Sequence, residues 1–104
     1  MRNIFWTAYS HEERHLAINT IQNMVSKYGD IIGFKTFSDI SLTITIEIEE
    51  SKVDLLYDEL RDHIIIDKFD FLNSTSLSER TLYLNITFAK GTGDRRIEIP
   101  STPG

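Results

Sequence analysis

Residues 40–50 read ISLTITIEIEE, and apolar and polar side chains alternate through them without a break. Ile40, Leu42, Ile44, Ile46 and Ile48 fall on one phase, and Ser41, Thr43, Thr45, Glu47 and Glu49 on the other. A period of two marks a β-strand with one face buried and the other wet or set against something polar. Antiparallel sheets carry that one-sided pattern most often, so the stretch predicts a central strand of an antiparallel sheet.

Working outward, DIIGFKTFSD (30–39) reads as a strand running into a turn, and RNIFWTAYS (2–10) as a first strand rich in β-branched and aromatic residues. Between them, Ala17, Ile21, Met24, Val25 and Tyr28 recur at helical spacing. Ser10 followed by Glu13 has the form of a capping box, which predicts a helix from Ser10 to about Tyr28, ended by Gly29. Downstream, SKVDLLYDELRDH (51–63) predicts a second helix with Val53, Leu56, Tyr57 and Leu60 inward and Ser51 with Asp54 at its start. Asp58 with Arg61, and Glu59 with His63, read as surface pairs of that helix. IIIDKFDFL (64–72) is a strand of mixed pattern, and a serine-rich loop follows. In RTLYLNITFAK (80–90), Leu82, Leu84, Ile86 and Phe88 alternate with Tyr83, Asn85 and Thr87. A GTGD turn, a last short strand at RRIEIP and a frayed tail at 101–104 complete a single domain over 1–100.

The order β-α-β-β-α-β matches the ferredoxin-like plait, an α+β fold with two helices on one face of an antiparallel sheet, here with extra C-terminal strands. That fold hosts many unrelated activities, so function has to be read from sites.

At 104 residues and a net charge of −5, the chain suits one soluble domain and lacks the basic surface that nucleic acid or an anionic membrane would need. No apolar run reaches membrane-spanning length, which leaves the cytoplasm as the default compartment. There is no cysteine, so disulfides and thiol chemistry are excluded; no serine sits in a nucleophile elbow, and nothing implies a cofactor.

Three stretches are candidate sites. HEERH (11–15) spells H-E-x-x-H, the helix signature of zinc proteases, in which imidazoles at i and i+4 share one face and the glutamate activates a metal-bound water. Helical phase turns His15 to the wet side, leaves His11 at the boundary and projects Arg14 over the end of the apolar face. The remaining histidine, His63, follows the second helix with nothing to bring it near. The stretch therefore reads as a helix start, with a surface metal site at His11 and His15, or a metal-dependent hydrolase using His11, Glu12 and His15, as the alternatives. AKGTGDRR (89–96) reads as a hairpin turn, or alternatively as an anion nest of Lys90, Gly91, Gly93, Arg95 and Arg96. The third candidate is the second face of the sheet, carrying Thr43, Thr45, Tyr83, Asn85 and Thr87, with Phe5, Thr7 and Tyr9 added if the first strand is in register. Glu47 and Glu49 on that face argue against stacked RNA bases. The expected role is a non-catalytic binding module that forms a homodimer through its sheet and engages a protein partner or small ligand.

Overall fold

The computed structural model describes residues 3–90, and the expected strand at 95–100 and tail at 101–104 lie outside them. It is a small α+β domain of two α-helices and a five-stranded mixed sheet. The strands are β1 (Ile4–Glu13), β2 (Gly29–Ser38), β3 (Ser41–Glu49), β4 (Ile65–Ile66) and β5 (Glu79–Lys90). Helix α1 (Arg14–Val25) joins β1 to β2, and α2 (Val53–Leu60), entered through a 3-10 turn at Glu50–Lys52, joins β3 to β4.

The alternation at 41–49 is realised as read. Leu42, Ile44, Ile46 and Ile48 are buried against the helices, and β3 is central, antiparallel to β2 on one side and to β5 on the other. Leu82, Leu84, Ile86 and Phe88 of β5 and Ile4, Trp6 and Ala8 of β1 complete that wall. Ala17, Ile21, Met24 and Val25 of α1 and Val53, Leu56, Tyr57 and Leu60 of α2 close over it. Each large aliphatic side chain withdrawn in this way contributes roughly 1.5–3 kcal/mol. Ile40 departs from the pattern: it lies in the β2–β3 turn, 46% exposed, and contributes its carbonyl oxygen to the N–H of Phe88 at 2.8 Å.

The sheet is not the all-antiparallel plait. Its order is β2-β3-β5-β1-β4, with β5 inserted between β3 and β1 and parallel to β1. Residues 67–78 join β4 to β5, which run antiparallel to each other on either side of β1, so this segment must cross β1. Phe69 against Trp6 places the crossing on the helix side, and the chain returns to the sheet at Glu79. This strap replaces most of the strand expected over 64–72, because its backbone donors are taken elsewhere. The Asp54 carboxylate accepts the N–H groups of Leu72 at 2.9 Å and Asn73 at 2.8 Å, and Asn73 sits at φ 50°. Asp54 is thus spent on the strap, and α2 has no side-chain cap at its start. Phe69 of the strap packs edge-on against Trp6, ring centroids 5.2 Å apart.

The start of α1 also differs from expectation. Ser10 keeps the inward phase of Ile4, Trp6 and Ala8 and is 1% exposed, so the strand runs on through His11 and Glu12. Glu13 is the N-cap, its carboxylate accepting from the N–H of His15 at 3.0 Å and of Leu16 at 3.4 Å. The helix stops at Val25, and Gly29 opens β2 opposite Ile48 instead of ending the helix. Arg14 does reach over the end of the apolar face, donating at 3.0 Å to the Ser38 carbonyl and at 3.0 Å to Thr36 Oγ1. Asp58 pairs with Arg61 at 3.0 Å, whereas Glu59 turns from His63 to α1's end, accepting from Lys27 Nζ at 2.6 Å and the Tyr28 hydroxyl at 2.6 Å.

Candidate functional site

Strand register decides which side chains share the face of the sheet turned away from the helices. Along one row stand Gly33, Thr45, Tyr83 and Phe5; along the next, Lys35, Thr43, Asn85 and Thr7; along a third, Ser38, Ser41, Thr87 and Tyr9. All five residues singled out on the third and fifth strands therefore lie together, and β1 is in the register that adds Phe5, Thr7 and Tyr9. Phe5 stacks on Tyr83 with ring planes 15° apart and centroids at 5.1 Å, yet Phe5 remains 67% exposed. The Thr43 hydroxyl donates to Asn85 Oδ1 across the strands. These rows hold a single charge, Lys35 on the edge strand, whose ammonium lies 5.6 Å from the centre of the Phe37 ring.

The face turns acidic at one end. Asp30 lies opposite Glu47, and Glu49 opposite Glu79. Like charges in directly opposed positions repel. Lys27 and Lys52 flank these acids around a shallow groove of about 270 Å³. A second groove of about 270 Å³ lies at the other end of β1, lined by Tyr9, His11, Glu12, Arg61, Asp62 and His63. His63 does therefore come near His11, contrary to the expectation from chain order, because β4 returns antiparallel beside β1.

The HEERH stretch does not form one helical face. His11 belongs to β1 and contacts Tyr9 edge-on at 5.1 Å, while His15 belongs to α1 with Nδ1 3.0 Å from Glu13 Oε2. The i, i+4 geometry that the zinc-protease signature depends on is absent, since strand residues turn about 180° per position and not 100°. Among the described residues no group of three or more His, Asp or Glu is placed to hold a metal ion. Of the glycine-rich turn, only the Lys90 backbone is described, opposite Glu13; Gly91, Gly93, Arg95 and Arg96 lie outside the described residues.

Electrostatic shifts mark ties between elements. A hydrogen bond from Lys27, then one from Tyr28, holds the Glu59 carboxyl below the ordinary carboxylate range, and Glu59 in turn raises Lys27 and Tyr28. Hydrogen bonds from Ser74 and Arg80 lower Glu50, and the His15 backbone N–H lowers Glu13. Every one of these shifts runs away from neutrality, the reverse of what a general acid or base working near pH 7 requires.

No family model, curated protein or solved structure matches the chain. Among the described residues no helix is long and apolar enough to cross a membrane.

Proposed function

We propose that the chain is a non-catalytic interaction module that self-associates through its sheet. The observation that carries this reading is the composition of the uncovered face: three rows of threonine, serine, asparagine and aromatic side chains, centred on the exposed Phe5–Tyr83 stack, whose one charge is Lys35 at the β2 edge and whose acids gather at one end. An uncharged centre with a charged rim is the anatomy of a protein interface. Catalysis would need a nucleophile beside a base, or carboxyls shifted toward neutrality, and the side chains described here are organised instead as cross-strand pairs and inter-element ion pairs. Thr43, Thr45, Tyr83, Asn85 and Thr87 are the residues assigned to this surface.

Sedimentation velocity of the full chain, from low micromolar to several hundred micromolar, tests the reading. A weight-average mass rising toward twice that of one chain is the expected result. A mass fixed at one chain throughout overturns it.

A further inference from the structure

Self-association leaves open which part of the sheet meets the second copy, and a surface other than the open face is built to fit itself. Among the described residues β2 is an edge strand bonded only to β3, and it runs for ten residues with no proline. Its outer side therefore presents backbone N–H and C=O groups to any strand that can align with it. Apolar side chains collect there: Ile32, Phe34 and Phe37 of β2, with Ile40 in the following turn, are all exposed. A soluble protein ordinarily blunts such an edge with charges, and β2 carries two, Asp30 and Lys35.

The placement of those two charges follows from the bulge at Ile32. Register against β3 runs Asp30 to Glu47, Ile31 to Ile46, then, skipping Ile32, Gly33 to Thr45, Phe34 to Ile44 and Lys35 to Thr43. Asp30 and Lys35 are an odd number of positions apart, yet the extra residue puts both on the open face. The same shift puts Ile31 and Phe34 together on the helix-side face. Counted in β3 positions, the strand is symmetric about Gly33: Ile31 and Phe34 lie one step to either side, Asp30 and Lys35 two steps.

We infer that β2 pairs antiparallel with β2 of a second copy of this chain about a two-fold axis at Gly33. In that arrangement each Asp30 faces the other copy's Lys35, and each Ile31 faces the other copy's Phe34. Gly33 meets Gly33 at the axis with no side chain to separate the strands. Every pair lies on a common face, as direct opposition in an antiparallel ladder requires. An isologous contact uses each pairing twice, as closed two-fold symmetry demands. The pairing also gives Asp30 a cation, where among the described residues of its own chain the residue opposite is Glu47. The two sheets become one continuous ten-stranded sheet, and both open faces stay uncovered on the same side. This rests on the self-association reading but places the contact at the β2 edge, leaving the open face, whose composition carries that reading, free for a further partner.

Charge exchange tests the pairing by sedimentation velocity on the full chain. Asp30→Lys sets lysine against Lys35 of the other copy, and Lys35→Asp sets aspartate against Asp30. Each alone is expected to weaken the dimer about tenfold or more, and the double variant to return it to within about threefold of the starting chain. Asp30→Lys also places a cation opposite Glu47 within the chain, so the melting temperature of dilute monomer is expected to hold or rise while dimerisation falls. Misfolding cannot give that combination. Single exchanges without effect, or a double exchange that fails to restore association, overturn the edge pairing. If Tyr83→Arg then abolishes the dimer, self-association stands and runs through the open face. A starting chain that is monomeric at every concentration overturns both and leaves the edge to a strand of a different protein.

Discussion

Gly29 is where β2 is laid against β3, and its lack of a side chain is a condition of that contact. A Cβ built there falls 2.5 Å from the Glu47 carbonyl oxygen, 3.0 Å from Ile48 Cβ and 3.2 Å from Ile48 Cα. Ordinary contact begins near 3.4 Å, so alanine must move a backbone oxygen by about 0.9 Å. That oxygen cannot retreat freely, because Glu47 and Ile48 are also in register with Thr81 and Arg80 of β5. Overpacking of this kind costs about 1–3 kcal/mol, offset by about 0.4–1 kcal/mol from the smaller conformational freedom of unfolded alanine. The net expectation for Gly29→Ala is a loss of about 1–2 kcal/mol, or a melting temperature lower by roughly 5–15 °C for a domain of this size. Gly33→Ala is the internal control, since its Cβ meets only Thr45 Cβ and Oγ1, both at 3.7 Å. It is expected to be neutral or to stabilise by up to about 1 kcal/mol. Urea unfolding followed by circular dichroism, at protein concentrations too low for association, reads both variants. Gly29→Ala as stable as the starting chain, or Gly33→Ala as damaging as Gly29→Ala, would refute the β2–β3 register from which the edge pairing is drawn.

Asp54→Ala removes the acceptor for two strap N–H groups and is expected to cost about 2–3 kcal/mol. Trp6 is the only tryptophan, buried beneath Phe69 of that strap, so its emission should shift to the red in the same variant, and unchanged emission would place the strap's anchor elsewhere. Glu13→Ala should weaken α1 by removing its N-cap, and amide exchange at His15 and Leu16 should quicken; Ser10→Ala should leave those two amides unchanged. Glu59, Glu50 and Glu13 all have carboxyls held below their value in the unfolded chain, so the unfolded state takes up protons first as pH falls. Stability is therefore expected to be full above about pH 4.5 and to decline as pH drops through the lowered native values; Glu59→Gln should make that decline shallower. Zinc is expected to leave the melting temperature of the chain unchanged, because His11 and His15 sit on different elements.

The core was legible because it is written in period. Every apolar residue on the inward phase of 42–48 and 82–88 is buried, and so is the stripe Val53, Leu56, Tyr57 and Leu60. The open face was legible for the same reason, since the phase opposite a buried one has nowhere else to go. Boundaries were not, because they depend on partners distant in sequence. Ser10 and Glu13 can form a capping box or a strand end with equal local sense, and a ladder bond between Glu13 and Lys90, on the far side of the chain, decides for the strand. Asp54 fits a helix start equally well until the strap arrives to claim its carboxylate. The position of β5 was equally hidden. Its alternation says that one face is buried, and it says nothing about whether the neighbour runs parallel or antiparallel.

Inserting β5 between β3 and β1 has a consequence for the surfaces that remain. In a four-stranded plait the strand closing the β1 edge would be a full-length partner, but here the chain leaves that edge after the two residues of β4 and spends 67–78 crossing to the interior of the sheet. The strand on the β1 edge is thus short, and cover there continues at the strap's departure, where the Asp67 N–H is bonded to the Thr7 carbonyl at 3.0 Å. The β2 edge receives no such cover among the described residues. With the most strongly patterned strands, β3 and β5, held at the centre, β2 is left as a long outer strand carrying exposed Ile32, Phe34 and Phe37. An edge this long and this apolar is unstable against pairing of some kind. The bulge at Ile32 then narrows the choice, because it makes the strand its own best complement, with charge set opposite charge and aliphatic opposite aromatic on matching faces.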